Sequence, residues 1–212
     1  MSEIEALRNS ALILVDIQND FCPGGSLAVP EGDDVVPVVN RLMPLFGYVV
    51  ATQDWHPADH ISFKQRGGEW PPHCVQGTAG AELHPDLDKS RIDLLAKKGA
   101  SSDKDVFNGL DARGPDGASV IEALTERGVS TIYVAGLATD YCVRATVLGG
   151  LDLGLSVDVI TDAIRAVNVN PDDGAKAIEE MAARGARLVT SVELLSSNRL
   201  QASSRRASQS RR

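Results

Sequence analysis

An α/β fold of three layers is predicted, with an open parallel sheet of about six strands lying between two layers of helices. Three observations predict it. Short apolar runs take turns along the chain with segments of helical period. Those runs lack polar alternation, as parallel strands covered on both faces do. The 212 residues, 43% of them hydrophobic, are enough for one domain with a substantial core.

After a polar lead, Ala11 to Ile17 reads as a central strand with one charged residue, Asp16, at its carboxyl end. In open α/β sheets ligands bind at that edge, so Asp16 is placed for chemistry; the plainer reading is a cap for the next turn. Gln18 to Pro30, with its CPGGS, is a loop in which Phe21 is the only aromatic residue. Asp33 to Phe46 has helical spacing with Pro37 in its first turn, and Tyr48 to Thr52 is the second strand. Between Gln53 and Asp86 the composition changes: Gly, Pro, Trp and all four His residues crowd into about thirty positions, a length of loop that is usually functional. Ile92 to Ala96 is the third strand, followed by Lys97-Lys98-Gly99 and a polar excursion, 100–117, that carries Phe107. Ser119 to Arg127 is a helix closed by Gly128. A buried strand at Ile132 to Ala135 then leads through Gly136 and a polar turn into a helix marked by Val143, Val147 and Leu151, with Thr139 or Asp140 as its N-cap. A strand at Ser156 to Thr161, a helix at Pro171 to Arg184 ended by Gly185, and a strand at Arg187 to Thr190 complete the series. Such alternation implies right-handed crossovers and a Rossmann-like sheet.

Charge and cysteine usage exclude several classes of function. Net charge is −8, yet the last fifteen residues carry five Arg and no acid, leaving 16 basic against 29 acidic residues in the body. A body so acidic repels phosphate backbones, so no nucleic-acid partner is expected. The apolar run Ala11 to Val15 is too short to span a bilayer or to serve as a signal core, so no membrane partner and a cytoplasmic location are expected. Cys22, Cys74 and Cys142 are odd in number and form no C-x-x-C pair, which suggests neither a disulfide framework nor a thiolate metal knot. The expected organisation is one domain over 1–197 and a solvated basic Ser/Arg tail over 198–212.

Two constellations remain. Cys142 falls in the first turn of its helix, where unpaired amides and the helix dipole lower a thiol's pKa; the bland alternative is a small buried residue beneath the helix. Asp16, Lys98 and Cys142 all fall at or just beyond strand ends. If those strands share one edge, the three form an activated nucleophile with its own base and a cation to steady both. Lys97 is an equal candidate for the cation at this point. The second constellation is Asp54-x-His56 with His60 and His73, residue types that bind a borderline divalent ion; an Asp-x-His pair on an extended segment points both side chains the same way. His84, before Pro85 at the far end of the loop, reads as structural.

Five motifs in order carry a family resemblance: Asp16-Ile17-Gln18-Asn19-Asp20-Phe21, Asp54-Trp55-His56-Pro57, Trp70-Pro71-Pro72-His73-Cys74-Val75-Gln76-Gly77-Thr78, Lys98-Gly99, and Gly136-Leu137-Ala138-Thr139-Asp140-Tyr141-Cys142-Val143. The chain resembles the nicotinamidases of the isochorismatase-like cysteine hydrolase superfamily from about Ala11 to Leu195. The resemblance implies Asp16, Lys98 and Cys142 as the catalytic set, which settles the choice of lysine. It implies one divalent ion on Asp54, His56 and His73, zinc before iron or manganese, with His60 a further ligand only in some members. The amides of Ala138 and Cys142 are implied as the oxyanion hole, next to a cis peptide at Leu137-Ala138, and Phe21 and Trp70 as ring-binding walls. The implied reaction takes nicotinamide, and by extension pyrazinamide, through a Cys142 thioester to the acid and ammonia. Other amidases and the isochorismatase of the superfamily typically lack the Asp-x-His motif, and a non-catalytic member would not need all of Asp16, Lys98 and Cys142. A homo-oligomer is compatible with the resemblance.

Overall fold

The structure, a computed structural model, describes residues 3–196; the basic tail expected over 198–212 lies outside the described residues. Six parallel strands form one sheet in the order β3-β2-β1-β4-β5-β6. They are β1 (Ala11–Val15), β2 (Tyr48–Asp54), β3 (Leu94–Lys98), β4 (Thr131–Leu137), β5 (Ser156–Arg165) and β6 (Arg187–Val189). The helices include α1 (Glu3–Arg8), α2 (Val35–Leu42), α3 (Val120–Glu126), α4 (Arg144–Asp152) and α5 (Asp173–Ala183), and residues 191–196 are helical as well. The fold class read from the sequence is therefore the one observed.

The period-2 geometry of β1 divides the core in two. Leu12 and Leu14 point into one apolar cluster with Val35, Val39 and Leu42 of α2. Ala11, Ile13 and Val15 point into the other, with Val120 and Leu124 of α3, Val147 of α4 and Met181 of α5. No member of β1 is exposed, which is why that strand reads as an unbroken apolar run.

Local signals explain the helix ends. Ser119 and Glu122 form a reciprocal capping box at the start of α3, and Gly128 beyond its end has φ +66°. The largest departures from the sequence reading are at strand ends. β2 continues to Asp54 and β4 to Leu137, while β5 runs ten residues to Arg165. β3 is shifted toward its carboxyl end, so Lys97 and Lys98 belong to the strand. Polar residues at a sheet's carboxyl edge break the apolar pattern without breaking the strand. α1 falls in what the sequence suggests is only a polar lead. No helix among the described residues is long and apolar enough to cross a membrane.

The strand order places the switch point between β1 and β4, whose neighbours run outward in opposite directions. In this class of sheet the crevice beyond the carboxyl ends there is the ligand site.

Candidate active site

Each predicted catalytic residue sits at that crevice because its strand ends there. Asp16 follows β1 directly and has φ +49°. Lys98 is the last residue of β3 and pairs in register with Asp54, the last of β2. β4 passes through a register shift and then Gly136, where φ is +117° and an added Cβ would lie 2.1 Å from the Val15 carbonyl oxygen. The Leu137-Ala138 peptide is cis, as the motif implies.

The turn after β4 differs from the α-helical one expected. Thr139–Val143 is a single π turn that leads into α4, and neither Thr139 nor Asp140 caps it. Ala138 occupies the cap position, and its carbonyl accepts the amides of both Tyr141 and Val143, the two neighbours of Cys142. Asp140 instead accepts the amides of Val167 and Asn168, at 3.0 and 2.8 Å, and fastens the segment after β5 to the site. A wide turn of this kind re-aims the side chain within it, and such turns are frequent at functional sites.

The three residues predicted to be catalytic are brought together. Lys98 Nζ lies 2.9 Å from Asp16 Oδ2 and 3.3 Å from Cys142 Sγ, and it donates to Asp54 Oδ1 as well. Thr52 Oγ1 donates to Asp16 Oδ1 at 2.6 Å and accepts the Asp16 amide at 3.2 Å. Asp16 Oδ2 accepts no hydroxyl or amide and has the Lys98 ammonium as its one close polar neighbour among the described residues. All three residues are buried.

Burial sets the proton inventory. It raises the Asp16 carboxyl above its ordinary range despite the nearby ammonium of Lys98. Asp54 feels the same burial, but Lys98 and the neighbouring His56 ring outweigh it and hold the carboxyl well below the usual range. Burial disfavours the charge on Lys98 too, yet Asp16 and Asp54 keep it firmly protonated. Cys142 is pushed well up by burial, with Lys98 opposing and both aspartates adding to the rise. The resting residue is thus a thiol. This direction is opposite to the lowering expected from a helix start, with desolvation the largest cause and Asp16 and Asp54 adding to it.

The predicted ligands also converge. One carboxylate oxygen of Asp54 and one ring nitrogen each of His56 and His73 lie within 4.8 Å of one another. His56 Nδ1 is 3.1 Å from the Gly99 carbonyl and His73 Nδ1 is 2.8 Å from the Pro71 carbonyl, so both rings donate from Nδ1; Nε2 of His73 is left as a lone pair, and Nε2 of His56 faces Asp54 Oδ2 at 3.5 Å. Burial keeps His73 neutral. With both carboxylates ionised beside the single Lys98 ammonium, this buried group carries one net negative charge, which a cation at the triad would offset. One carboxylate and two imidazoles that already donate from Nδ1, gathered this closely, fit a divalent ion.

His60 does not join the group. Its Nδ1 is 2.8 Å from Ser62 Oγ and its Nε2 is 3.2 Å from the Lys104 carbonyl, with the ring stacked on His56 at 4.0 Å. A second cluster of Asp16, Asp54 and Cys142 already surrounds the Lys98 ammonium. His84 lies outside both groups.

The cleft beside these groups is lined by Phe21, Trp70, Phe107 and Tyr141 together with Ala138 and Cys142. Phe21 packs on His73 at 5.6 Å and Trp70 meets Tyr141 edge-on at 5.1 Å. Both walls named from sequence line this cleft, and Tyr141 and Phe107 are additions. The sequence holds a signal for Tyr141, which directly precedes Cys142, and one for Thr52, a hydroxyl at a strand end.

Comparison with known proteins agrees with this geometry. The isochorismatase domain profile matches residues 10–193. The chain is 46% identical to a nicotinamidase of Escherichia coli over 85% of this chain and 94% of that one. A pyrazinamidase of Pyrococcus horikoshii, solved in complex with zinc, superposes with TM-score 0.77 at 43% identity, covering 86% of this chain and 99% of that one. The PnC1 protein of L. infantum, solved with nicotinate, superposes at 0.80 and 36% identity, covering 87% and 94%. A profile match across nearly the whole sheet, together with relatives this similar along almost their full lengths, makes the chain a member of the isochorismatase family.

Proposed function

We propose that the protein is a metal-dependent nicotinamidase that converts nicotinamide to nicotinate and ammonia and accepts pyrazinamide as a smaller analogue. The observation that carries the reading is the joining of two sites by Lys98, which contacts Asp16 and Cys142 on one side and the metal-ligand carboxylate Asp54 on the other. Relatives at 46% and 43% identity bear the names nicotinamidase and pyrazinamidase, which supports the substrate class.

In this mechanism Asp16 takes the proton of the Cys142 thiol on Oδ2, the oxygen not held by Thr52, as sulfur attacks the carboxamide carbon. The Lys98 ammonium remains charged and steadies the sulfur and the carboxylates as negative charge moves between them. The amides of Ala138 and Cys142 receive the developing oxyanion. Asp16 then gives its proton to the departing ammonia, and a water cleaves the thioester to release the acid and restore the thiol. Phe21, Trp70 and Tyr141 hold the ring and exclude water. Asp54, His56 and His73 would hold the ion, zinc by the precedent of the zinc-bound neighbour, and when bound it supplies a Lewis-acidic contact that orients the ring nitrogen.

Ammonia release from nicotinamide, measured before and after chelation and again after Zn²⁺, Fe²⁺ or Mn²⁺ is restored, tests the reading. Activity that disappears with chelation and returns with one of these ions supports it; no hydrolysis in any metal-loaded form overturns it.

A further inference from the structure

We infer that Asp20 is a positioning residue of the metal centre: it fixes His73 relative to Asp54 by gripping the peptide that joins His73 to Cys74. The inference rests on the metal reading above. Asp20 is buried, and among the described residues no Lys, Arg or His forms an ion pair with it. Its charge is held by main-chain amides instead. Oδ2 accepts the Cys74 amide at 2.7 Å and Oδ1 accepts the Ser26 amide at 3.1 Å. Charge-assisted bonds of this kind are stronger than neutral ones, and in a dry site they are costly to lose.

The Cys74 amide needs a holder. Cys74 has φ +46°, a left-handed conformation that an L-residue adopts only when its surroundings enforce it. That backbone turn aims His73 at the cleft. The Cys74 carbonyl in turn accepts the His56 amide at 2.9 Å, so the residue after one histidine carries the other. Two residues before Asp20, the buried Gln18 grips Asp54: its Nε2 donates to the Asp54 carbonyl at 2.9 Å and its Oε1 accepts the Asp54 amide at 2.8 Å. Asp54 and His73 come from different parts of the chain, and both are tied to the short segment just after Asp16. Residues 16–20 thus set the spacing of the ligands and link it to the catalytic base.

Gly80 gives an independent handle. A Cβ there would fall 2.1–2.4 Å from the atoms of the Asp20 carboxyl group, so an alanine must push that group aside without altering its chemistry.

The test measures zinc affinity by competition with a chromogenic chelator and records the visible absorption of the Co²⁺-loaded protein, for wild type, Asp20→Asn, Asp20→Ala and Gly80→Ala. Outer partners of ligating histidines govern metal affinity by about 10- to 100-fold. The expected result is a zinc Kd raised at least about tenfold in Asp20→Ala, a smaller rise in Asp20→Asn and Gly80→Ala, and a changed Co²⁺ band shape that reports a displaced His73. Turnover at saturating zinc should recover to within a few-fold of wild type, which a general loss of folding would not allow. Unchanged Kd and unchanged Co²⁺ spectrum in a folded Asp20 variant or in Gly80→Ala would overturn the assignment. Wild-type protein that takes up neither ion would overturn the metal reading itself, an outcome distinct from the failure of Asp20 alone.

Discussion

Lys97 and Lys98 are neighbours on β3 and face opposite ways: the Lys97 ammonium sits 3.4 Å from the centre of the Trp55 ring, while Lys98 is enclosed by Asp16, Asp54 and Cys142. Strand alternation allows only one of the two to serve the site. Lys98→Ala leaves two buried carboxylates without their cation, and loss of one preorganised electrostatic contact typically costs about 10²- to 10³-fold in rate. The expected outcome is a fall of that size in kcat for Lys98→Ala and a change within a few-fold for Lys97→Ala. Steady-state ammonia release checks both.

The metal triad makes a second prediction. Asp54→Ala, His56→Ala and His73→Ala should each lose most of the bound ion, whereas Cys142→Ala should keep it. His60→Ala should still fill at saturating metal, because both ring nitrogens of His60 face Ser62 and Lys104. Gly99→Ala belongs with the first group. Its φ is +65°, and an added Cβ would lie 2.4 Å from the His56 ring, displacing the very imidazole that the Gly99 carbonyl orients. Elemental analysis of the purified variants decides it, and full metal content in both His56→Ala and His73→Ala would rule out the triad.

Periodicity makes the sheet legible, because β1, β2 and β4 are buried on both faces and their apolar runs have no other reading. It blurs at the carboxyl edge, where polar residues break the pattern: Gln53, Asp54, Lys97 and Lys98 lie just past the expected strands, Tyr48 to Thr52 and Ile92 to Ala96, and belong to them. The chemistry of Asp16, Cys142, Asp54, His56 and His73 is legible from residue type and position relative to strand ends. The parts played by Thr52, Gln18 and Asp20 are not, because their action lies in bonds to Asp16, to the Asp54 peptide and to the Cys74 amide, contacts between residues as many as 54 positions apart. The acidity of Cys142 is hidden for a related reason. A helix start is visible in sequence, but the desolvation that overrides it depends on everything packed around the thiol.

The tail is separable from the enzyme on this reading. Among the described residues the sheet, both core clusters and the cleft draw on residues up to Leu195, and we propose 1–197 as the catalytic domain. A chain ending at Ala202 should melt and turn over as the full chain does. A large fall in melting temperature or rate after that truncation would contradict the domain boundary.

Asp16 and Cys142 should fail as one unit. Asp16→Asn keeps the side chain's shape and an oxygen for the Thr52 hydroxyl, but it cannot take the thiol proton, and the thiol of Cys142 is held in its neutral form by burial. Turnover should nearly vanish. Substrate binding should survive, since the ring is held by Phe21, Trp70 and Tyr141 and by the ion at Asp54, His56 and His73, so the loss falls on kcat and leaves the dissociation constant for nicotinamide within a few-fold. Cys142→Ala should be as inactive, and the double variant scarcely worse than either single one, because groups that act in one proton transfer are not additive. Rapid-quench mass spectrometry under single turnover makes the distinction chemical. A nicotinoyl adduct is expected on the peptide that contains Cys142 in the native protein and is expected to be absent in Asp16→Asn. Cys22 and Cys74 are free and buried as well, and an adduct on either, or undiminished hydrolysis by Cys142→Ala, would move the nucleophile away from the end of β4.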